Sequence, residues 1–146
     1  APGMHVKVIM GPNAPWIDKV RNAAGRLNCH VEVLVNVSNM AELMTQADLS
    51  IGAVGSTSWE RCCLGLPALT VVLASNQTAS AKTLEAAGAV RLIGGPENIG
   101  SKLPVLFERL RSDPRVLSRL SERAAEVCSG RGADIVADYL SKVLEE

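Results

Sequence analysis

Aromatic residues are scarce in this chain: Trp16, Trp59, Phe107 and Tyr139 are the only four, about 3% of the sequence. An interior must therefore be filled by Val, Leu, Ile and Ala, the usual contents of a parallel sheet covered by helices. Charge of one sign is also lacking, since fifteen Lys and Arg balance fifteen Asp and Glu. A nucleic-acid or anionic-membrane surface needs an excess of basic residues, so neither partner is expected. The longest apolar stretches, such as Leu64 to Ala74, are interrupted and too short for a membrane span. No signal peptide precedes the first apolar run, and Ala1-Pro2-Gly3 reads as a domain boundary.

Chemistry-bearing residues are equally sparse. Cys29, Cys62, Cys63 and Cys128 match no zinc spacing. They are expected to be buried reduced thiols, as in a cytoplasmic protein. The two histidines, His5 and His30, stand at or just before the start of a strand and read as structural. No Gly-x-Gly-x-x-Gly follows the first strand and no Gly-Lys-Ser/Thr loop occurs, which disfavours NAD and ATP binding by those modes. No metal, cofactor or catalytic residue is expected, because no nucleophile–base pair can be assembled from what is present.

What is present is an alternation. The 146 residues are near the commonest size of one domain. Short β-rich runs at His5 to Met10, Val31 to Val35, Leu49 to Val54, Ala68 to Leu73 and Ala89 to Ile93 are separated by helical stretches. That order predicts an α/β fold, a Rossmann-like parallel sheet with flanking helices. The last third is helical, with Ser112-Asp113-Pro114 ending one helix and starting the next, and Gly130-Arg131-Gly132 breaking the second from a third. Arg115, Arg119 and Arg123 share one helical face and read as a solvated stripe.

In open parallel sheets, ligands sit beyond the carboxyl ends of the strands. If the commonest doubly wound order holds, the first and fourth strands are neighbours there. Gly11-Pro12-Asn13 and Ala74-Ser75-Asn76-Gln77 would then flank one cleft, with Gly55 to Ser58 opening onto the same edge. Gly55-Ser56-Thr57-Ser58-Trp59-Glu60 is the informative stretch. A glycine and three hydroxyl residues at a helix start suit a phosphate, because first-turn N–H groups are unpaired and carry partial positive charge. The same residues also fit a capping box, Thr57 as cap and Glu60 closing back on it. Glu60 could instead accept from a ribose diol. Asn76 and Gln77 can either contact phosphate and sugar or simply cap the next helix.

The stretch from Ala47-Asp48-Leu49 through Gly55-Ser56-Thr57-Ser58-Trp59-Glu60-Arg61-Cys62-Cys63-Leu64-Gly65-Leu66-Pro67, followed by Asn76-Gln77, resembles the UDP-sugar hydrolases of pseudaminic-acid synthesis and the related spore-coat polysaccharide biosynthesis family. More distantly it is similar to the carboxyl-terminal domain of the UDP-N-acetylglucosamine transferase of peptidoglycan synthesis. Gly130-Arg131-Gly132-Ala133-Asp134 also looks like this family. The resemblance implies that residues 1–146 are the carboxyl-terminal half of a glycosyltransferase-B-like fold, a single nucleotide-sugar-binding domain. By that resemblance, Gly55, Ser56 and Thr57 would bind the diphosphate of a UDP-sugar and Glu60 its ribose. Val37, with Asn36 and Ser38, would lie against the uracil, and Asn76 and Gln77 would reach the diphosphate or sugar. Gly11 would open the loop on the substrate side. An amino-terminal domain or separate subunit would complete the cleft and carry the general base. The implied reaction is hydrolysis of the UDP-sugar; a glycosyltransferase half and a non-catalytic binding module are the alternatives.

Overall fold

The computed structural model describes residues 3–144, so most of the boundary reading at Ala1-Pro2-Gly3 lies outside the described residues. The chain forms two compact units, one ending at Met40 and the other beginning at Ala41.

In the first unit, strands β1 (His5–Met10) and β2 (His30–Val35) run parallel, joined through helix α1 (Ile17–Ala24). Their register pairs His5 with His30 and Met10 with Val35. The two imidazoles lie 5.0 Å apart at the amino ends of the strands, and His30 Nε2 is 3.2 Å from Glu32 Oε1. That placement puts both histidines at the strand ends opposite Gly11 and Asn36. No described residue of this unit is fully buried.

The second unit carries helix α2 (Met40–Thr45, from the last residue of the first unit), strands β3 (Ser50–Ala53), β4 (Ala68–Val71) and β5 (Val90–Gly94), and helices α3 (Ser56–Cys63), α4 (Thr78–Ala86), α5 (Ile99–Ser112), α6 (Pro114–Val127) and α7 (Gly132–Leu144). The three strands are parallel in the order β3-β4-β5. Every residue of β4 is buried, as expected for a central strand covered on both faces. One face of the core collects Cys62, Ala68, Leu84, Ala89, Val90 and Ala124. The other is built on Leu69, Val71, Ile93, Leu110 and Leu120, with Phe107 packed against them. The aliphatic filling forecast from the shortage of aromatics is what the interior contains.

The assumed strand order fails. Both edges of β4 are taken, by β3 and by β5, so β1 is not its hydrogen-bonded neighbour. The burial expected of the cysteines also fails in part: Cys62 is buried, Cys29 and Cys128 are half-buried, and Cys63 is exposed. Adjacent helical residues diverge by about 100° around the axis. Cys62 enters the core and Cys63 therefore leaves it.

The α5–α6 junction follows the sequence closely. Asp113 accepts a hydrogen bond from Arg115 N at 3.0 Å, with Pro114 at the first helical position. Asp113→Ala should lower the unfolding free energy by about 1 kcal/mol, read as a shifted urea midpoint with an unchanged slope. The arginine stripe is exposed, with Arg123 paired to Glu126 at 2.7 Å and Arg119 Nε donating to Arg115 O. In α7, no residue is buried, and Ile135, Val136, Tyr139, Leu140 and Val143 are all exposed. No helix among the described residues is long and apolar enough to cross a membrane.

Candidate functional site

Because β3, β4 and β5 are parallel, the segments that follow β3 and β4 leave the sheet at the same edge. Gly55, Ser56, Thr57 and Glu60 follow β3, and Asn76 and Gln77 follow β4, so six of the ten expected ligand residues belong to one carboxyl edge. The other four lie at the carboxyl edge of the first unit, Gly11 directly after β1 and Asn36, Val37 and Ser38 directly after β2. Asn36 adopts a positive φ of 55°, and its N–H donates to Met10 O at 3.0 Å. Asparagine tolerates that left-handed conformation better than most residues, and it turns the chain sharply at the strand end.

Helix α3 begins earlier than the capping-box reading places it. Gly55 is the N-cap residue and Ser56 the first residue of the helix, so Thr57 and Glu60 do not form the cap pair. The side chain that folds back is Ser58, whose Oγ accepts from Gly55 N at 3.3 Å, while Ser58 N donates to Gly55 O at 3.0 Å. A glycine cap has no side chain to return, and no side-chain cap bond closes this helix end. Ser58 N is thus taken up by Gly55 O, and the first-turn N–H groups left for an anion are those of Ser56 and Thr57. Gly55, Ser56, Trp59 and Glu60 are exposed, Thr57 is half-buried and Ser58 is buried.

Beneath this turn lies Arg61, which is only 3% exposed. Its Nη2 donates to Ala53 O at 2.7 Å and to Ser58 Oγ at 3.2 Å. Nη1 reaches Ser50 Oγ at 3.3 Å and Nε reaches Thr57 O at 3.2 Å. One guanidinium thus joins both ends of β3 to the first turn of α3. Gly52 leaves room for it, since a Cβ there would come 3.4 Å from Nη1. All four acceptors are neutral, and no ion pair among the described residues joins Arg61 to a carboxylate. Burial pulls the Arg61 pKa below its ordinary value, against smaller opposing effects of Cys62 and Glu60. The sequence reading missed Arg61, because a single Arg on an amphipathic helix reads as surface. The small neighbours Ser50, Gly52 and Ser58 were the signal that it is enclosed.

The residues after β4 divide. Gln77 Oε1 accepts from Leu73 N at 2.8 Å, so its carbonyl oxygen serves the turn and its NH2 is the group left for a ligand. Asn76 is exposed. Two cavities of about 500 Å³ lie elsewhere, one around His30 and Cys29 at the amino end of β2, the other among Arg91, Arg109, Arg119 and Arg123. Neither includes an expected ligand residue.

Comparison with known proteins places this arrangement in context. The profile of the glycosyltransferase family 28 C-terminal domain matches residues 3–134. The spore coat polysaccharide biosynthesis protein SpsG of Bacillus subtilis (strain 168) is 27% identical over 143 residues, covering 97% of this chain and 42% of the relative. The UDP-N-acetylglucosamine–N-acetylmuramyl-(pentapeptide) pyrophosphoryl-undecaprenol N-acetylglucosamine transferase of Solibacter usitatus (strain Ellin6076) is 28% identical over 146 residues, covering 97% of this chain and 40% of the relative. The chain thus spans about two-fifths of the length of these curated relatives. The crystal structure of Acinetobacter baumannii MurG superposes with a TM-score of 0.76 at 24% identity, over 96% of this chain and 42% of that one, which shows a shared fold.

Proposed function

The chain belongs to the glycosyltransferase family 28 C-terminal domain family, and from that membership we propose that it is the nucleotide-gripping half of a glycosyltransferase that uses a UDP-sugar. The observation that carries the proposal is the amino terminus of α3 at the carboxyl edge of the sheet, where the cap residue is a glycine with no side chain. The returning group, Ser58 Oγ, takes Gly55 N and leaves the N–H groups of Ser56 and Thr57 to a partner. Gly55, Ser56 and Thr57 hold the diphosphate through first-turn N–H groups and the positive end of the helix. Glu60, one turn on and exposed, accepts from the ribose hydroxyls. In the first unit, the resemblance alone assigns Val37, with Asn36 and Ser38, to the uracil. Asn76 and the NH2 of Gln77 donate to the diphosphate or sugar, and Gly11 leaves space on the substrate side.

In this reading the chain's chemical contribution is electrostatic. As the sugar departs, charge grows on the diphosphate, and donors already fixed around it stabilise that charge without reorganising. The general base and acceptor contacts come from an amino-terminal domain or separate subunit. The exposed apolar face of α7 supports a partner surface of that kind, since Ile135, Val136, Tyr139 and Leu140 gain from burial. Transfer now ranks above the hydrolysis implied by the first resemblance, because the matched family and the Solibacter relative are both named for glycosyl transfer.

Titration with UDP and with uridine tests the grip. UDP should move the amide resonances of Ser56 and Thr57, and uridine should move them far less; no movement at millimolar UDP would mark a module that has lost its ligand. In the complete protein, UDP release that requires an added acceptor supports transfer. Release at the same rate in water alone would restore the hydrolase reading. Glu60→Ala should weaken UDP about tenfold, the value of one hydrogen bond to a charged group, while Tm moves by no more than about 1 °C. Unchanged affinity would remove Glu60 from the ribose.

A further inference from the structure

We propose that Cys63 and Cys128 form a redox modification site, a thiol pair that closes into a disulfide on meeting a small-molecule disulfide such as oxidised glutathione. Their sulfurs lie 3.0 Å apart although the residues are 65 positions apart in sequence. Cys63 is the last residue of α3 and Cys128 follows the last residue of α6. These helices are already held together, with Ser121 Oγ donating to Gly65 O at 2.7 Å and Cys62 and Ala124 sharing the core. A covalent link therefore joins segments the fold already apposes. Cys63 is exposed, so an oxidant can reach the pair, whereas neighbouring Cys62 is only 1% exposed and faces the core.

Contact between the two sulfurs, either of which can donate, shifts both thiols. The hydrogen bond shared with Cys63, and then a backbone bond at Gly130, pull the Cys128 thiol below its ordinary pKa. Cys63 is pushed up, chiefly by the same bond to Cys128. Two residues after Cys128, Gly130 has a φ of 75°, and a Cβ added there would stand 3.7 Å from the Cys63 sulfur. Whichever sulfur attacks first, the other resolves the mixed disulfide; with Cys128 first, Cys63 resolves. Cys128 attacks one sulfur of the oxidant, the oxidant's S–S bond breaks, and one thiolate leaves and takes up a proton. Cys63 gives its proton to water and attacks the Cys128 sulfur of the mixed disulfide, expelling the second small thiolate. The protein loses two electrons and two protons; the oxidant becomes two thiols.

The product is a link from the carboxyl end of α3 to the segment between α6 and α7. Closing so long a loop restricts the unfolded chain, and oxidation should raise Tm by about 5 °C. The test treats the whole reduced chain with oxidised glutathione, then counts thiols after denaturation and maps peptides. Titratable thiols should fall from the four present to two. A single linked peptide should join Cys63 to Cys128, and dithiothreitol should restore both thiols. Cys63→Ser should arrest the reaction as a glutathione adduct on Cys128, and Cys128→Ser as an adduct on Cys63. Four surviving thiols, a stable glutathione adduct on the unsubstituted chain, or a link through Cys29 or Cys62 would each overturn the proposal.

Discussion

Arg61→Met is expected to lower the unfolding free energy by about 3 kcal/mol and, in whatever folded protein remains, to weaken UDP more than uridine. The stability loss follows from the partners left behind. Ala53 O, Ser50 Oγ, Ser58 Oγ and Thr57 O all lose a donor at once, and Met offers none in return. Part of that loss is offset, because an enclosed cation without a carboxylate partner is itself expensive to desolvate. Chemical denaturation measures the balance, and an unchanged midpoint would mean the guanidinium contributes nothing net. The binding arm has a different origin. Arg61 fixes Ser58, which in turn receives Gly55 N, so the position of the open helix end depends on it. Its positive charge also lies behind the turn to which the proposed function assigns the diphosphate. Arg61→Lys separates the two contributions: charge is retained but the fork that reaches four acceptors is lost. If Lys restores UDP preference without restoring stability, the charge matters; if it restores neither, positioning is the larger part.

The elements of this fold were legible because their signals are local. Five apolar runs mark five strands, and Asp113-Pro114 marks a helix boundary through one hydrogen bond and one missing N–H. What escaped the sequence is pairing across distance. The run Ala68 to Val71 looks the same whether it lies at a sheet edge or between two partners, so its flanking by β3 and β5 could not be read from it. The cap of α3 was misplaced because Thr57 to Glu60 satisfies the capping pattern as text. In the structure Gly55 is extended and Ser58 is turned inward by Arg61. Likewise Cys63 and Cys128 carry no mark of each other across the intervening chain. The glycine–hydroxyl stretch, by contrast, was visible from chemistry alone, and the resemblance supplied a ligand for it. Residue roles at that stretch rest on the proposed function and need tests that separate binding from folding.

Gly55→Val provides the sharpest such test, with UDP affinity expected to fall about thirtyfold while stability drops by no more than about 1 kcal/mol. Gly55 sits at φ −172° and ψ −161°, extended backbone that any residue adopts, so the glycine is not required by its conformation. Nor is it required by packing, because a Cβ built there meets nothing within 4 Å. The structural cost is limited to replacing a favourable N-cap glycine with a β-branched residue. The Gly55 N–H still reaches Ser58 Oγ, so the turn keeps its shape. What changes is the open space beside the first-turn N–H groups, where Val brings two methyl groups and no donor. A phosphate that needs close backbone approach is displaced, whereas uridine, whose proposed contacts are Glu60 and the residues after β2, should bind almost as before. Gly55→Ala, smaller by two methyl groups, should fall between. If Gly55→Val folds with its stability intact and binds UDP as tightly as the unsubstituted chain, the diphosphate does not lie at the amino end of α3, and the proposed grip must be moved elsewhere on the sheet edge.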